Sequence, residues 1–313
     1  MGNNISLFWK MMIVNEHTKH MDFNKFLYFC IFTNRQNQCM EDKIMRFDIE
    51  EIIKVKAPDK KFPKVIVRYL KRIMHQDELN AFFVRVHGKK NVDFIEKAIN
   101  ELLEVSADFE GVENLPPKGG RYIFVSNHPL GGLDSVILGL LLGRKYDDKV
   151  KYFANDVLMF LDPMKEMFLP VSKVGQAAGV RENAKAVEAF FNSENQLITF
   201  PAGTCSRKVK GKIQDLPWKK SFVSKAVQTR RNVVPIYFEG RNSNFFYNLS
   251  IIRTKLGLPN IEMLYLVNEM FKQHGNHFKI RIGKPIPYTT FDKSKTPVEW
   301  ADWVRGKVYE LAP

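Results

Sequence analysis

The stretch Tyr122-Ile-Phe-Val-Ser-Asn-His-Pro-Leu-Gly-Gly-Leu-Asp134 decides how this chain reads. An apolar strand runs straight into Asn127-His128, a turn bearing two glycines, an aspartate, and a new apolar segment from Val136 to Leu142. The ring of Pro129 clashes with a helical residue before it, so His128 is held extended and its imidazole is presented from a strand end. With a carboxylate one turn away, that imidazole has what is needed to take a proton from a hydroxyl. Asp134 can fix the proton on one ring nitrogen and leave the other basic. The plainer reading makes Asp134 the N-cap of the next helix, and the two are compatible if one carboxylate oxygen serves each task.

About seventy residues on, Phe200-Pro-Ala-Gly-Thr-Cys-Ser-Arg207 again ends an apolar run in a tight polar turn. It offers backbone N–H groups around Gly203, hydroxyls on Thr204 and Ser206, and a cation in Arg207. That set suits an anionic head group or a developing oxyanion, although a solvated surface turn has the same composition.

Around these turns the pattern alternates. Strands are expected at 121–126, 150–154, 196–200, 233–238 and 278–282, with helices near 135–143, 182–192, 219–230 and 260–273. Short continuous apolar strands between helices predict an α/β fold: a mixed, largely parallel sheet flanked by helices. Reactive groups in such sheets gather beyond the strand ends, where both polar turns fall. Val298 to Leu311, with Trp300, Trp303, Val304 and Tyr309, reads as a closing amphipathic helix.

Upstream the organisation differs. Residues 1–46 mix Met, Asn, Phe and Lys without sustained period and are expected to be a poorly ordered extension. Residues 47–105 read as a helical subdomain preceding the α/β domain of 106–313. Its segments are Val65–Met74, with a mixed apolar and basic face, Glu78–His87 ending at Gly88, and Phe94–Val105 with Asp93 and Glu96 placed like a capping box. The basic face either belongs to a small bundle packed on the main domain or rests on membrane.

With 313 residues, 45% of them hydrophobic, the chain has enough apolar material for a packed core. Lys and Arg number 48 against 34 Asp and Glu, a net charge of +14. Such a surface suits a negative membrane, an acidic carrier protein or nucleic acid. Nucleic acid is set aside, because no zinc spacing or reading motif accompanies the charge. The longest apolar runs, Phe26–Phe32 and Val136–Leu142, are far below the roughly 20 residues of a spanning helix. Cys30, Cys39 and Cys205 stand at unrelated spacings that form neither a metal site nor a disulfide framework, which suits a reducing cytosol.

In order and spacing, Asn127-His128 with Asp134, Phe200-Pro-x-Gly-Thr-x-Ser206 and Val233-Val-Pro-Ile-Tyr-Phe238 resemble the motif blocks of the PlsC-like glycerolipid acyltransferases. Gly175 with Arg181 is similar to a further block between the first two. The resemblance covers roughly residues 100 to 290. It implies transfer of a fatty acyl group from acyl carrier protein or acyl-coenzyme A to a hydroxyl, with no bound cofactor, no metal and no covalent acyl-enzyme. It makes His128 the general base, Asp134 its orienting partner, and places Asn127, Arg181, Gly203, Thr204, Ser206 and Arg207 about the acceptor. Cys205 is then a bystander.

Two departures bear on the acceptor and the dyad. Five residues, Pro129 to Leu133, separate His from Asp where the family usually has four, with Gly131-Gly132 placed to absorb the extra one. Ala202 and Cys205 stand where phosphate-acceptor members carry glutamate and arginine, which changes the polar lining of the acceptor site. This version, followed by Tyr237-Phe-Glu-Gly-Arg-Asn-Ser243, is similar to the hemolysin-like branch, whose members resemble O-acyltransferases that complete ornithine or glycine aminolipids. The implied partners are a lyso-lipid acceptor, an acyl thioester and an anionic membrane surface, at the cytoplasmic face of the plasma membrane. The alternatives are phosphatidate synthesis and an inactive lipid-binding relative whose dyad the longer spacing has broken.

Overall fold

The computed structural model describes residues 44–56, 62–154, 161–170, 177–258 and 260–313, with the backbone alone at 55–56, 154, 170 and 177–183. The extension expected at 1–46 falls almost wholly outside the described residues, as does Gly175. Helices come first: α1 (Ile49–Lys56), α2 (Lys64–Ile73), α3 (Gln76–Arg85) and α4 (Asn91–Lys97), the last continuing through a π-helical turn at Ala98–Leu103. There follow β1 (Ser106–Glu110), β2 (Tyr122–Ser126), α5 (Leu133–Lys145), β3 (Val150–Ala154), β4 (Phe168–Pro170), α6 (Ala177–Asn192) and β5 (Gln196–Thr199). A hairpin of β6 (Arg207–Val209) and β7 (Lys212–Gln214) leads to α7 (Ser221–Thr229), β8 (Asn232–Phe238), α8 (Asn244–Lys255), α9 (Leu266–Phe271), β9 (His277–Ile282) and α10 (Pro297–Tyr309).

The main sheet has the order β1-β9-β8-β2-β5-β3-β4. Its neighbours run parallel except β8 and β9, so the mixed, largely parallel sheet flanked by helices is what forms. β2 lies between β5 and β8, covered on both faces, and its side chains alternate between two cores as the pleat requires. Phe124 faces the cluster that holds the apolar sides of α1 to α5. Ile123 and Val125 face the cluster built on Phe222, Val223, Trp300, Val304 and Val308 from α7 and α10. The helices of 49–103 therefore share one apolar cluster with the sheet.

Elements without an apolar run of their own were not foreseeable. β1 is an edge strand of sequence Ser-Ala-Asp-Phe-Glu that exists through its parallel pairing with β9. The helix expected at 260–273 is split into a 3-10 turn, Ile261–Tyr265, and α9, at the point where the fully buried Glu262 turns in towards Arg207 and Arg253. Asp93 and Glu96 form no capping box: α4 starts at Asn91, and both carboxylates take the guanidinium of Arg144 at 2.8 and 2.7 Å. α10 does carry a capping box, between Thr296 and Glu299. Among the described residues no helix is long and apolar enough to cross a membrane.

Candidate active site

The two polar turns leave the carboxyl ends of adjacent strands, β2 and β5, and meet. Ser206 donates its main-chain N–H to the carbonyl of His128 at 2.7 Å. The His128 ring stacks on Phe200, centroids 4.2 Å apart. One turn supplies the imidazole, and the other supplies its floor.

His128 Nδ1 lies 3.0 Å from Asp134 Oδ2. That oxygen also accepts the N–H groups of Leu130 and Gly131, and Oδ1 accepts that of Ser135. Asp134 is fully buried, inside the first turn of α5, whose N-cap is Gly132 rather than Asp134. Its carboxylate thus shapes the turn and orients the ring together. Between the two, Gly131 adopts φ +79° and packs so closely that a Cβ there would lie 3.0 Å from the Cβ of Cys205. The dyad stays within hydrogen-bond distance across five intervening residues. Among the described residues no protein group bonds Nε2, and the side chain is 14% exposed.

Burial is the largest influence on the ring and acts to lower its pKa. The charge and hydrogen bond of Asp134, with the charge of Asp215, outweigh it, and the imidazole sits above its ordinary value despite the opposing charge of Arg207. Burial also pushes the Cys205 thiol up, to about 11, only partly countered by Arg207. A fully buried thiol held protonated is no nucleophile.

Several groups expected to meet substrate are engaged by the protein instead. Asn127 is buried, and its amide donates to the Phe238 carbonyl at 2.9 Å and accepts the Phe238 N–H at 2.7 Å, which ties β2 to β8. Ser206 is buried and donates its hydroxyl to Asp215 at 2.6 Å. Arg207 turns inward: it donates to the carbonyl of Cys205, lies 3.2 Å from Glu262 and packs over the ring of Phe246. These three build the site from behind. Gly203 adopts φ +70°, and its N–H is taken by the Phe200 carbonyl. Thr204 differs, because its hydroxyl is buried without a hydrogen-bond partner. Arg181 lies in α6, and its side chain is outside the described residues.

Two residues at the site escaped the sequence reading. Asp215 is a buried carboxylate that accepts the His128 N–H at 3.2 Å, although it lies 87 positions away. Lys219 sets its ammonium beside Gly203, where a Cβ would come within 2.8 Å of Nζ, and has no carboxylate partner among the described residues. Nothing in Gln214-Asp-Leu-Pro-Trp-Lys219 marks either one; only the hairpin that folds this segment back onto the turns does. Ala202 is buried in the apolar cluster with Trp218.

An imidazole with one open nitrogen at one strand end, beside a second turn whose Thr204 hydroxyl and Lys219 ammonium have no protein partner among the described residues, has the groups that transfer to a hydroxyl requires. The acyltransferase family model matches residues 51–312, and the chain belongs to that family of enzymes. Among its relatives, a lyso-glycine lipid O-acyltransferase of Bacteroides thetaiotaomicron is 50% identical over 274 residues, 87% of this chain and 99% of that one. A lyso-glycine lipid O-acyltransferase of Phocaeicola vulgatus is likewise 50% identical over 274 residues, 97% of its length. Of solved structures, the 1-acyl-sn-glycerophosphate (LPA) acyltransferase PlsC of Thermotoga maritima aligns over 84% of this chain and 88% of its own, at 18% identity and TM-score 0.43.

Proposed function

We propose that this acyltransferase places a fatty acyl group on the hydroxyl of a lyso-aminolipid, with a lyso-glycine lipid as acceptor and His128 as the base. The observation that carries the chemistry is the 3.0 Å contact between Nδ1 and the buried Asp134, which leaves Nε2 open. Nδ1 keeps its proton towards Asp134 while Nε2 takes the proton of the acceptor hydroxyl, whose oxygen attacks the thioester carbonyl. As the ester forms and the C–S bond breaks, the proton passes from Nε2 to the departing thiolate. The base is regenerated and no acyl-enzyme is made. Such a base is worth about 10² to 10⁴ in rate, so positioning and oxyanion stabilisation supply the rest.

The acceptor assignment draws on the two relatives, each half identical to this chain, and on the second turn. An amino acid acylated on nitrogen keeps its carboxylate, to which the ammonium of Lys219 and the hydroxyl of Thr204 offer a cation and a donor. Arg181 is assigned to the same head group on its motif alone. Alanine at 202, where phosphate-acceptor members carry glutamate, favours this acceptor over lysophosphatidate. Acyl carrier protein or acyl-coenzyme A is the donor, and the net charge of +14 favours docking against anionic lipid at the cytoplasmic face and an acidic carrier.

The decisive assay gives the purified protein lyso-glycine lipid and lysophosphatidate side by side, each with acyl carrier protein and coenzyme A thioesters, and identifies products by mass spectrometry. Acylated glycine lipid is the expected product. Phosphatidate formed in its place overturns the reading.

A further inference from the structure

We propose that Asp215 is a positioning residue for the transfer: one buried carboxylate anchors both turns of the site and sets a second negative charge behind the imidazole. The inference rests on His128 acting as the base. Asp215 Oδ1 accepts the His128 N–H at 3.2 Å and the Ser206 hydroxyl at 2.6 Å, and Oδ2 accepts the Trp218 indole N–H at 2.8 Å. Because the Ser206 N–H returns to the His128 carbonyl, the two turns and this side chain close a ring of hydrogen bonds. Asp215 is itself fixed from α10. Its N–H is donated to the Tyr309 hydroxyl at 2.8 Å, and its carbonyl accepts from Arg305 at 2.9 Å.

Anchoring alone does not explain a charge here. All three donors to the carboxylate are neutral and would be met by any well-placed oxygen, whereas burying an ion is costly unless a positive charge answers it. The imidazolium formed during transfer is that charge. The ionisable groups about the ring are Asp134 on α5, Asp215 after the hairpin and Arg207 on β6, whose guanidinium is paired with Glu262. Tyr309 and Arg305 of α10 face Asp215 from the other side. Burial pushes the Asp215 carboxyl up, while its donors and the imidazole pull it back.

The test compares wild type, Asp215→Ala, Asp215→Glu, Trp218→Phe alone and the pair Asp215→Asn with Trp218→Phe, the second change removing the donor that an amide would confront. Asp215→Ala should lower kcat by about 10²-fold, the scale of a misplaced catalytic group. The Asn/Phe pair keeps an acceptor for the His128 N–H but no charge. Its acid limb of kcat/KM should shift to lower pH relative to Trp218→Phe alone, while Asp215→Glu should keep the wild-type limb. Tyr309→Phe, which loosens the anchor and keeps the charge, should lower kcat without moving the limb; an unchanged kcat there counts against the anchoring. An unmoved limb and kcat in the Asn/Phe pair overturn the inference. His128→Ala, run alongside, separates the failures: if it stays active the base itself is wrong, and if it is dead only the role of Asp215 falls.

Discussion

The turn after β2 and the turn after β5 are built from the same kinds of residue and fold to opposite effect. In residues 127–134 almost every polar group is spent: Asn127 on Phe238, and Asp134 on four donors, leaving Nε2 of His128 as the open position. In residues 200–207 the charge and one hydroxyl, Arg207 and Ser206, point into the protein, while Thr204 keeps an unpartnered hydroxyl and Lys219 leans over Gly203. The first turn leaves one ring nitrogen open and satisfies the groups around it, which is the arrangement a base needs. The second keeps one buried hydroxyl unsatisfied, and a buried donor without a partner is a standing cost that a ligand can remove. A fully bonded turn suits chemistry, and an incompletely bonded one suits binding.

Removing the reactive atom should have the largest effect. His128→Ala is expected to lower acyl transfer by about 10² to 10⁴ with the fold retained, since the ring stacks at the rim of the core rather than within it. Retained turnover in a variant whose circular dichroism is native would end the contrast between the two turns. Because the base must be neutral to act and its pKa is raised above 6.5, kcat/KM should fall as pH drops through an apparent pKa above that value. An acid limb at or below 6.5 would mean that Asp134 and Asp215 do not outweigh burial.

How much of this was legible follows from what each element depends on. β2, β5 and β8 declare themselves, because strands covered on both faces must be continuously apolar. The pairing of His128 with Asp134 was readable because both lie within one turn, joined by residues whose conformations, Pro129 and Gly131, are restricted or special. The inward turn of Ser206 and Arg207 was not, because Glu262 is brought near only by the packing of a distant segment, and Asp215 only by a short hairpin that folds back on the turn. Polarity in a sequence shows that a side chain needs a partner. It does not show whether that partner is a substrate or the protein.

The structural half of the second turn should show in stability. Ser206→Ala deletes a 2.6 Å bond to a buried carboxylate and should cost about 1–3 kcal/mol in urea unfolding. Losing nothing would return Ser206 to the list of substrate ligands. In the first turn, Gly131→Ala forces a left-handed backbone on a residue with a Cβ and presses it on Cys205, for about 1–2 kcal/mol and a lower kcat, because the Gly131 N–H holds Asp134. Its neighbour is the control. A Cβ on Gly132 meets nothing within 4 Å, so Gly132→Ala disturbs only the N-cap backbone without pressing on Cys205 and should cost less than Gly131→Ala. Equal losses at both glycines would show that the close approach to Cys205 does not set the cost.

The smallest effect on stability is the most telling about the second turn. Thr204→Val removes a hydroxyl that bonds nothing in the protein and keeps the shape, so unfolding should be unchanged or slightly harder. A hydrogen bond to a charged group is worth about 1.5–3 kcal/mol net, so the KM for the acceptor should rise about 10- to 100-fold if that hydroxyl meets the head group's carboxylate. A contact made equally in the bound and transition states raises KM and leaves kcat alone, whereas one made only to the developing oxyanion lowers kcat. Steady-state kinetics with varied lyso-glycine lipid therefore separates the two uses of one oxygen atom. A rise in KM keeps Thr204 with the head group, and a fall in kcat at constant KM moves it to the reacting carbonyl, beside His128.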